Sequence, residues 1–173
     1  MTSAPGVPNP HETSLPAADS TGLPAAITDF LETVPEDRRT VIRALYDVIT
    51  ARLGRRCEAV VEYGMISWIV PASAFSKGHS GDPRTPLPFL SLASQRGGIS
   101  IYHLGLYGDE QISSWFRERY ARLLPDRCDG VVGRIGTRCL RFSDPRQIPI
   151  ALIGELAAKV GPAELVGCRS TPA

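Results

Sequence analysis

Residues 60–70 read VVEYGMISWIV, a stretch of β-branched and aromatic side chains that favours extended backbone. Gly64 interrupts it, which predicts either two short strands or one strand with a bulge. Two more apolar or alternating stretches follow, LPFLSLAS at 87–94 and GISIYHL at 98–104. Three residues separate them, and the glycine pair 97–98 can adopt the positive φ of a tight turn. The sequence therefore predicts a β-hairpin beside the first strands.

Helical patterns lie on both sides of these strands in the sequence. In the clearest one, residues 35–53, apolar side chains recur three and four positions apart. Pro35 suits the first helical turn, and Gly54 favours a helix end. Further helices are predicted at 28–33, with Thr28 as its cap, at 108–125, opened by Gly108 and Asp109, and at 148–160.

The order of these elements indicates the fold class. Strands cluster in the middle of the chain, and helices flank them instead of alternating with them one by one. Residues 138–142 alternate charged and apolar side chains, as an exposed strand does. The sequence predicts an α+β fold, in which an antiparallel sheet of about five strands packs against helices on one face as a two-layer sandwich.

One folded domain is expected at residues 27–162. Residues 1–26 are rich in Pro, Ala, Ser and Thr and contain no Lys or Arg, so they predict a disordered N-terminal tail. Residues 163–173 are expected to form a flexible C-terminal tail. The stretch 71–86, which is rich in Gly, Pro and Ser, predicts a mobile loop or an insertion.

The charge balance, the hydropathy and the cysteine spacing argue against several classes of protein. The chain has 19 Lys and Arg against 18 Asp and Glu, which is unlike a general nucleic-acid binder. No stretch approaches the roughly 18 apolar residues that span a bilayer, and no signal-peptide pattern is visible. The four cysteines form no C-x-x-C pair. We therefore expect a cytoplasmic protein with no membrane or nucleic-acid partner.

Three short segments stand out once the elements are placed: EYGM at 62–65, IYHL at 101–104, and GTRCLRF at 136–142, which precedes IPI at 148–150. Their order resembles that of the YdhG-like domain family, a group of bacterial proteins largely of unknown function. The likeness spans about residues 28–160. It implies a frataxin-like α+β architecture. Because one member has been proposed as an intracellular iron chaperone, it also implies a candidate role in carrying iron.

Glu58 and Glu62 are the candidate metal ligands under the iron hypothesis. Weak iron binding for delivery needs clustered oxygen ligands, such as carboxylates on a helix and an adjoining strand. Six arginines are interleaved among the acids of residues 29–62. The alternative is therefore that these carboxylates form surface ion pairs.

A small organic molecule is the other candidate ligand. Tyr63, Met65, Trp68 and Tyr102 could line a pocket where the sheet meets a helix. His103, next to Tyr102, could bind a metal or carry a proton near neutral pH. The same five side chains could instead be ordinary core or surface residues.

An arginine-rich region supplies an alternative function. Between Arg117 and Arg146 eight arginines stand against four acids, and Arg117, Arg138 and Arg141 are the candidate contacts. If they converge on one face, they could bind an acidic protein partner, and a homodimer is a further option. No nucleophile, base and orienting group occur together in a recognisable motif. We therefore expect a non-enzymatic protein that binds or carries a small ligand or a metal, with an interaction module as the alternative.

Overall fold

Three stretches of the chain are described by the computed structural model: residues 22–71, 86–123 and 139–159. Their α-helices are α1 (Ala25–Thr33), α2 (Glu36–Leu53), α3 (Leu104–Gly108), α4 (Glu110–Leu123) and α5 (Ile150–Lys159). Their strands are β1 (Glu58–Glu62), β2 (Met65–Val70), β3 (Leu87–Gln95), β4 (Gly98–His103) and β5 (Leu140–Phe142). Short 3-10 helices lie at Gly54–Arg56 and Pro145–Gln147.

The five strands form one sheet in the order β1-β2-β3-β4-β5, and every neighbouring pair is antiparallel. Each strand therefore pairs with the next one along the chain, as in a meander. The turn between β1 and β2 falls at Gly64, so the stretch quoted above forms two strands. The predicted α+β fold with a five-stranded antiparallel sheet is confirmed.

The hydrophobic core lies on one face of this sheet. Alternate residues of four neighbouring strands supply it, and all are nearly inaccessible to solvent: Ile66, Trp68, Leu90, Leu92, Ile99, Ile101, Leu140 and Phe142. We call this the covered face. Helix α2 contacts it through Trp68, whose indole N–H donates to Thr50 Oγ1 at 3.1 Å and whose ring lies 5.9 Å from that of Tyr46. Helix α4 reaches it through Tyr120, whose ring lies 6.2 Å from that of Phe142.

The helical layer is held together by a close contact between α2 and α5. Gly154 of α5 has no Cβ, and a Cβ built there would lie 2.7 Å from Cγ2 of Val48 on α2. That distance is shorter than real carbon contacts, so the glycine lets the two helices approach. Arg119 of α4 also forms an ion pair with Glu155 of α5, at 2.8 Å.

The first helix begins earlier than the sequence predicted. Helix α1 starts at Ala25, and Thr28 is inside it rather than its cap. The cause is Pro24, whose ring fixes a φ suited to the first turn and whose carbonyl accepts the N–H groups of Ile27 and Thr28 at 2.9 and 3.2 Å. Leu23 is already buried. The domain therefore starts before residue 27, and the predicted N-terminal tail overlaps it at residues 22–26.

Helix α3 is not among the elements that the sequence predicts. Residues 104–108 continue directly from β4, although the chain there reads LGLYG, in which two glycines weaken the helical pattern. The predicted opening of the next helix is confirmed, because the Gln111 N–H donates to Asp109 Oδ1 at 2.8 Å and so caps α4.

Several predictions fall on parts of the chain outside the described residues. They concern residues 1–21 of the N-terminal tail, 72–85 of the expected loop, the segment 124–138, and residues 160–173, which include the predicted C-terminal tail at 163–173. Within the described ranges, no helix is both long and apolar enough to cross a lipid bilayer.

Candidate functional site

The second face of the sheet has a different composition. Side chains alternate along a strand, so the neighbours of the core residues point the opposite way. They are Glu58, Val60 and Glu62 on β1, Met65, Ser67 and Ile69 on β2, Ser91, Ala93 and Gln95 on β3, Ser100 and Tyr102 on β4, and Arg141 on β5. We call this the polar face. None of these residues belongs to the hydrophobic core that the described helices share with the sheet.

A groove of about 560 Å³ lies on the polar face. Its lining includes Tyr63, Met65, Ser91, Ala93, Gln95 and Tyr102. The volume falls in the range of small-molecule sites, and the mixture of aromatic, thioether, hydroxyl and amide groups is typical of them. Ser91 and Ala93 are small members of this lining, and the larger Tyr102 stands beside Ser91 on β4.

Tyr63 stands at the edge of this groove in an unusual backbone conformation. Tyr63 has a φ of 50° and Gly64 a φ of 71°, so both central residues of the turn between β1 and β2 are left-handed. Tight hairpins of this kind favour Asn-Gly or Asp-Gly, because a larger side chain meets its own backbone there. The Tyr63 side chain is also 91% exposed. The turn thus holds an aromatic ring in solvent at a conformational cost.

Gln95 is the centre of a hydrogen-bond network on the same face. Its Oε1 accepts from Ser100 Oγ at 3.0 Å and from Arg141 Nη2 at 3.4 Å. Its Nε2 donates to the Tyr102 hydroxyl at 3.2 Å. These contacts connect three strands and fix the position of the amide beside the groove.

The backbone that carries Gln95 is held from the helical layer. The Arg38 guanidinium of α2 donates to the carbonyls of Gln95 and Gly98 at the end of the β3–β4 hairpin. Gly98 itself has a φ of 133°, and a Cβ there would overlap the Phe142 carbonyl oxygen of β5, at 2.0 Å. Both the main chain and the side chain of Gln95 are therefore positioned by specific contacts.

A serine pair continues the polar surface toward β2. Ser67 Oγ and Ser91 Oγ lie 2.9 Å apart, and these residues face each other across the two strands. Only one of the two hydroxyl protons can lie between the oxygens. Neither hydroxyl makes another side-chain hydrogen bond among the described residues, and Ser91 is the member that lines the groove.

The structure brings together three of the five residues predicted to bind an organic ligand. Tyr63, Met65 and Tyr102 line the groove, whereas Trp68 and His103 lie on the covered face and are each 1% exposed. The strand period separates them, because Tyr102 and His103 are consecutive residues and must point to opposite faces. The groove is also on the face opposite the helices, not where the sheet meets a helix.

His103 is a buried neutral histidine. Its Nδ1 accepts the Gly105 N–H at 3.1 Å, so the proton of the neutral ring is on Nε2. Nε2 has no hydrogen bond of normal geometry among the described residues. Burial lowers the pKa of His103 to about 4, against a smaller opposing effect of the Leu156 backbone. His103 thus has neither the exposure nor the basicity of a proton carrier near neutral pH.

Glu58 and Glu62 are not brought together as a metal site. They lie on the same face of β1 but four residues apart, so roughly 13 Å of strand separates them. Their partners on β2 are Ile69 and Met65, which supply no carboxylate. Among the described residues, no group of three or more His, Cys, Asp or Glu side chains is placed to hold a metal ion.

The predicted arginine surface is divided between the two layers. Arg117 is exposed on α4, in the helical layer, whereas Arg141 points from β5 to the polar face and contacts Gln95. Arg138 lies outside the described residues. Arg119 and Arg122 of α4 are engaged with Glu155 and Glu118. The described arginines therefore do not form one continuous basic face.

The sequence does not predict three residues of the site: Ser91, Gln95 and Ser100. It predicts Arg141 as a contact for a protein partner, but not its hydrogen bond to Gln95. A signal was present in the sequence, since β3 and β4 place Ser, Ala, Gln and Ser, Tyr at every second position, opposite the apolar set. The same alternation of polar and apolar residues occurs in any strand with one face in solvent. The hydrogen-bond network of Gln95 therefore becomes visible only from the pairing register of β3, β4 and β5.

Comparison with known proteins adds no relative. The sequence matches no protein-family model, and neither the curated proteins nor the solved structures contain a significant match. The resemblance to YdhG-like domains therefore stays a prediction based on the three quoted segments.

Proposed function

We propose that the protein binds a small ring-bearing organic molecule in the groove of the polar face, between Tyr63 and Tyr102. The observation that carries this proposal is the conformation of Tyr63. A left-handed non-glycine residue costs about 1–2 kcal/mol, and such residues cluster at functional sites. Tyr63 combines that cost with a ring that is 91% exposed, so its conformation gains no core packing in return.

The surroundings of Tyr63 support a ligand rather than a purely structural role. Met65 and Tyr102 flank the same groove, and thioether and phenol groups both form favourable contacts with aromatic rings. Ser91 and Gln95 add polar groups that can orient a bound molecule. A volume of about 560 Å³ accommodates one compound of drug-like size or smaller.

The proposal is tested by replacing Tyr63 with the residue that the turn itself favours. Tyr63→Asn creates an Asn-Gly turn, so we expect the free energy of unfolding to rise by about 1 kcal/mol. Loss of the ring should weaken binding of benzoate or benzamide by about fivefold, the equivalent of one aromatic contact. Urea unfolding measures the first effect, and ligand-observed NMR titration measures the second.

Leu123→Asn is the matched control, because Leu123 is 55% exposed on α4, outside the groove. It should leave probe binding unchanged. A Tyr63→Asn protein that binds the probes as well as the original chain would contradict the proposal. So would one that is clearly less stable, since Tyr63 would then be a structural residue.

A further inference from the structure

We infer that the groove selects a ligand with a hydrogen-bond acceptor, best a carboxylate, which the Tyr102 hydroxyl contacts as a donor. This inference rests on the proposed function and adds the chemical class of the ligand. It follows from the direction of the hydrogen bonds that begin at Arg141 and end in the groove.

Arg141 determines which way the Gln95 amide points. A guanidinium group can only donate hydrogen bonds, so the Gln95 atom that it contacts at 3.4 Å must be the oxygen. Ser100 Oγ donates to the same oxygen at 3.0 Å. The amide nitrogen is thereby turned toward Tyr102.

The orientation of Gln95 in turn determines the role of Tyr102. Gln95 Nε2 donates to the Tyr102 oxygen at 3.2 Å, so this oxygen acts as an acceptor in the network. The phenol proton is not used in that bond, and no hydrogen bond of this proton occurs among the described residues. Tyr102 therefore keeps its O–H as a donor, and the residue lines the groove.

The network gives the groove a definite polarity. Tyr102 offers its O–H, and Gln95 Nε2 has a second hydrogen that the bond to Tyr102 does not use. Arg141, which forms no ion pair among the described residues, adds positive charge at the start of the network. The hydrogen bonds run in series from Arg141 to Gln95 and from Gln95 to Tyr102. Hydrogen bonds in such a chain polarise each other, which strengthens the Tyr102 O–H as a donor.

Among the described residues that line the groove there is no carboxylate, and the nearest one on the sheet is Glu62, the strand partner of Met65. The donors of Tyr102 and Gln95 favour an electron-rich oxygen over an ammonium group. Hydrogen bonds to an ionised acceptor are about twice as strong as neutral ones. Combined with the rings of Tyr63 and Tyr102, this chemistry points to a small aromatic carboxylate. An aromatic amide should bind less tightly, and an aromatic amine least tightly.

The test compares benzoate, benzamide and benzylamine, which share a ring and differ in the attached group. NMR titration of the full chain should give affinities in that order, with benzoate at least about tenfold tighter than benzylamine. In Tyr102→Phe, which keeps the ring, benzoate affinity should fall about tenfold and benzylamine affinity should change less than about twofold. Arg141→Gln should reduce benzoate affinity by a smaller factor. Thermal melts check that each variant is folded.

Two failures can be told apart. If the ring compounds bind with equal affinity, or Tyr102→Phe weakens all three alike, the inferred selection by Tyr102 is wrong while the groove remains a binding site. If none of the three binds at millimolar concentration, both this inference and the proposed function are contradicted.

Discussion

The covered face and the polar face are made by the same strands, but their side chains make different kinds of contact. On the covered face, Ile66, Trp68 and Leu92 are at most 1% exposed and pack against helices. On the polar face, the adjacent positions include serine, glutamine, tyrosine and methionine. Hydrogen bonds join Ser67 to Ser91, and join Gln95 to Ser100, Tyr102 and Arg141. Burial dictates the residue type on the first face. On the second face Ser67, Ala93 and Ser100 are also at most 2% exposed, but Gln95 is exposed and Met65 and Tyr102 are half-buried, so these three residues can serve recognition.

Neighbouring residues show this division most clearly. Met65 and Ile66 are consecutive, as are Tyr102 and His103, yet one member of each pair lies in the groove and the other in the core. A change at one member should therefore affect binding, and a change at the other should affect folding. The following predictions test that separation.

The largest expected effect is on stability, at Ile66. Ile66→Ala should lower the free energy of unfolding by roughly 2–5 kcal/mol, since it removes buried methyl groups and leaves a cavity. Met65→Ala, one position earlier, should lower it by no more than about 1 kcal/mol because the side chain is only half-buried. Urea unfolding of the two variants measures the difference.

Benzoate binding should distinguish the Met65→Ala and Ile66→Ala variants in the opposite way. Met65→Ala should weaken binding, whereas Ile66→Ala, at temperatures where it stays folded, should not. Equal losses of stability in the two variants would mean that the polar face is packed as tightly as the covered face, and the division between them would not hold.

The next effect depends on pH and concerns His103. Its pKa is about 4 in the folded protein and about 6.5 in an unfolded chain, so between these values the unfolded state binds the extra proton. The stability from the neutral ring is fully present above about pH 6.5 and is lost as the pH falls toward 4. The loss should reach about 3 kcal/mol, measured by urea unfolding at a series of pH values.

His103→Gln serves as the control, since an amide oxygen can still accept the Gly105 N–H but the side chain does not titrate. Its stability should vary less between pH 6.5 and 4 than that of the original chain. Identical pH profiles would show that His103 is not buried as a neutral ring.

The sequence predicted much of the fold because apolar periodicity reports burial directly. The helix at 36–53, the two strands around Gly64 and the hairpin at 87–103 all follow from it. The start of α1 did not, because Pro24 and Leu23 lie in a segment whose average composition is that of a disordered tail. Composition over a window hides the single residues that fix a helix start.

The site was predictable only in part, for a geometric reason. Tyr63, Met65 and Tyr102 were identified by residue type, and the groove does contain them. Residue type alone also favours Trp68 and His103, but strand alternation places both side chains on the covered face. Gln95 is at the end of a strand next to a turn, where a polar residue is ordinary, so only its contacts reveal its position in the network.

The most direct test of the account follows the methyl group of Met65 by NMR while benzoate is added. The chain has two methionines, Met1 and Met65, so a methionine-methyl spectrum has few signals, and Met65 lines the groove. We expect a saturable shift of the Met65 methyl signal, with little change at the Ile66 methyl on the opposite face. A Met65 signal that does not move at millimolar benzoate, or equal shifts of Met65 and Ile66, would contradict a binding site on the polar face.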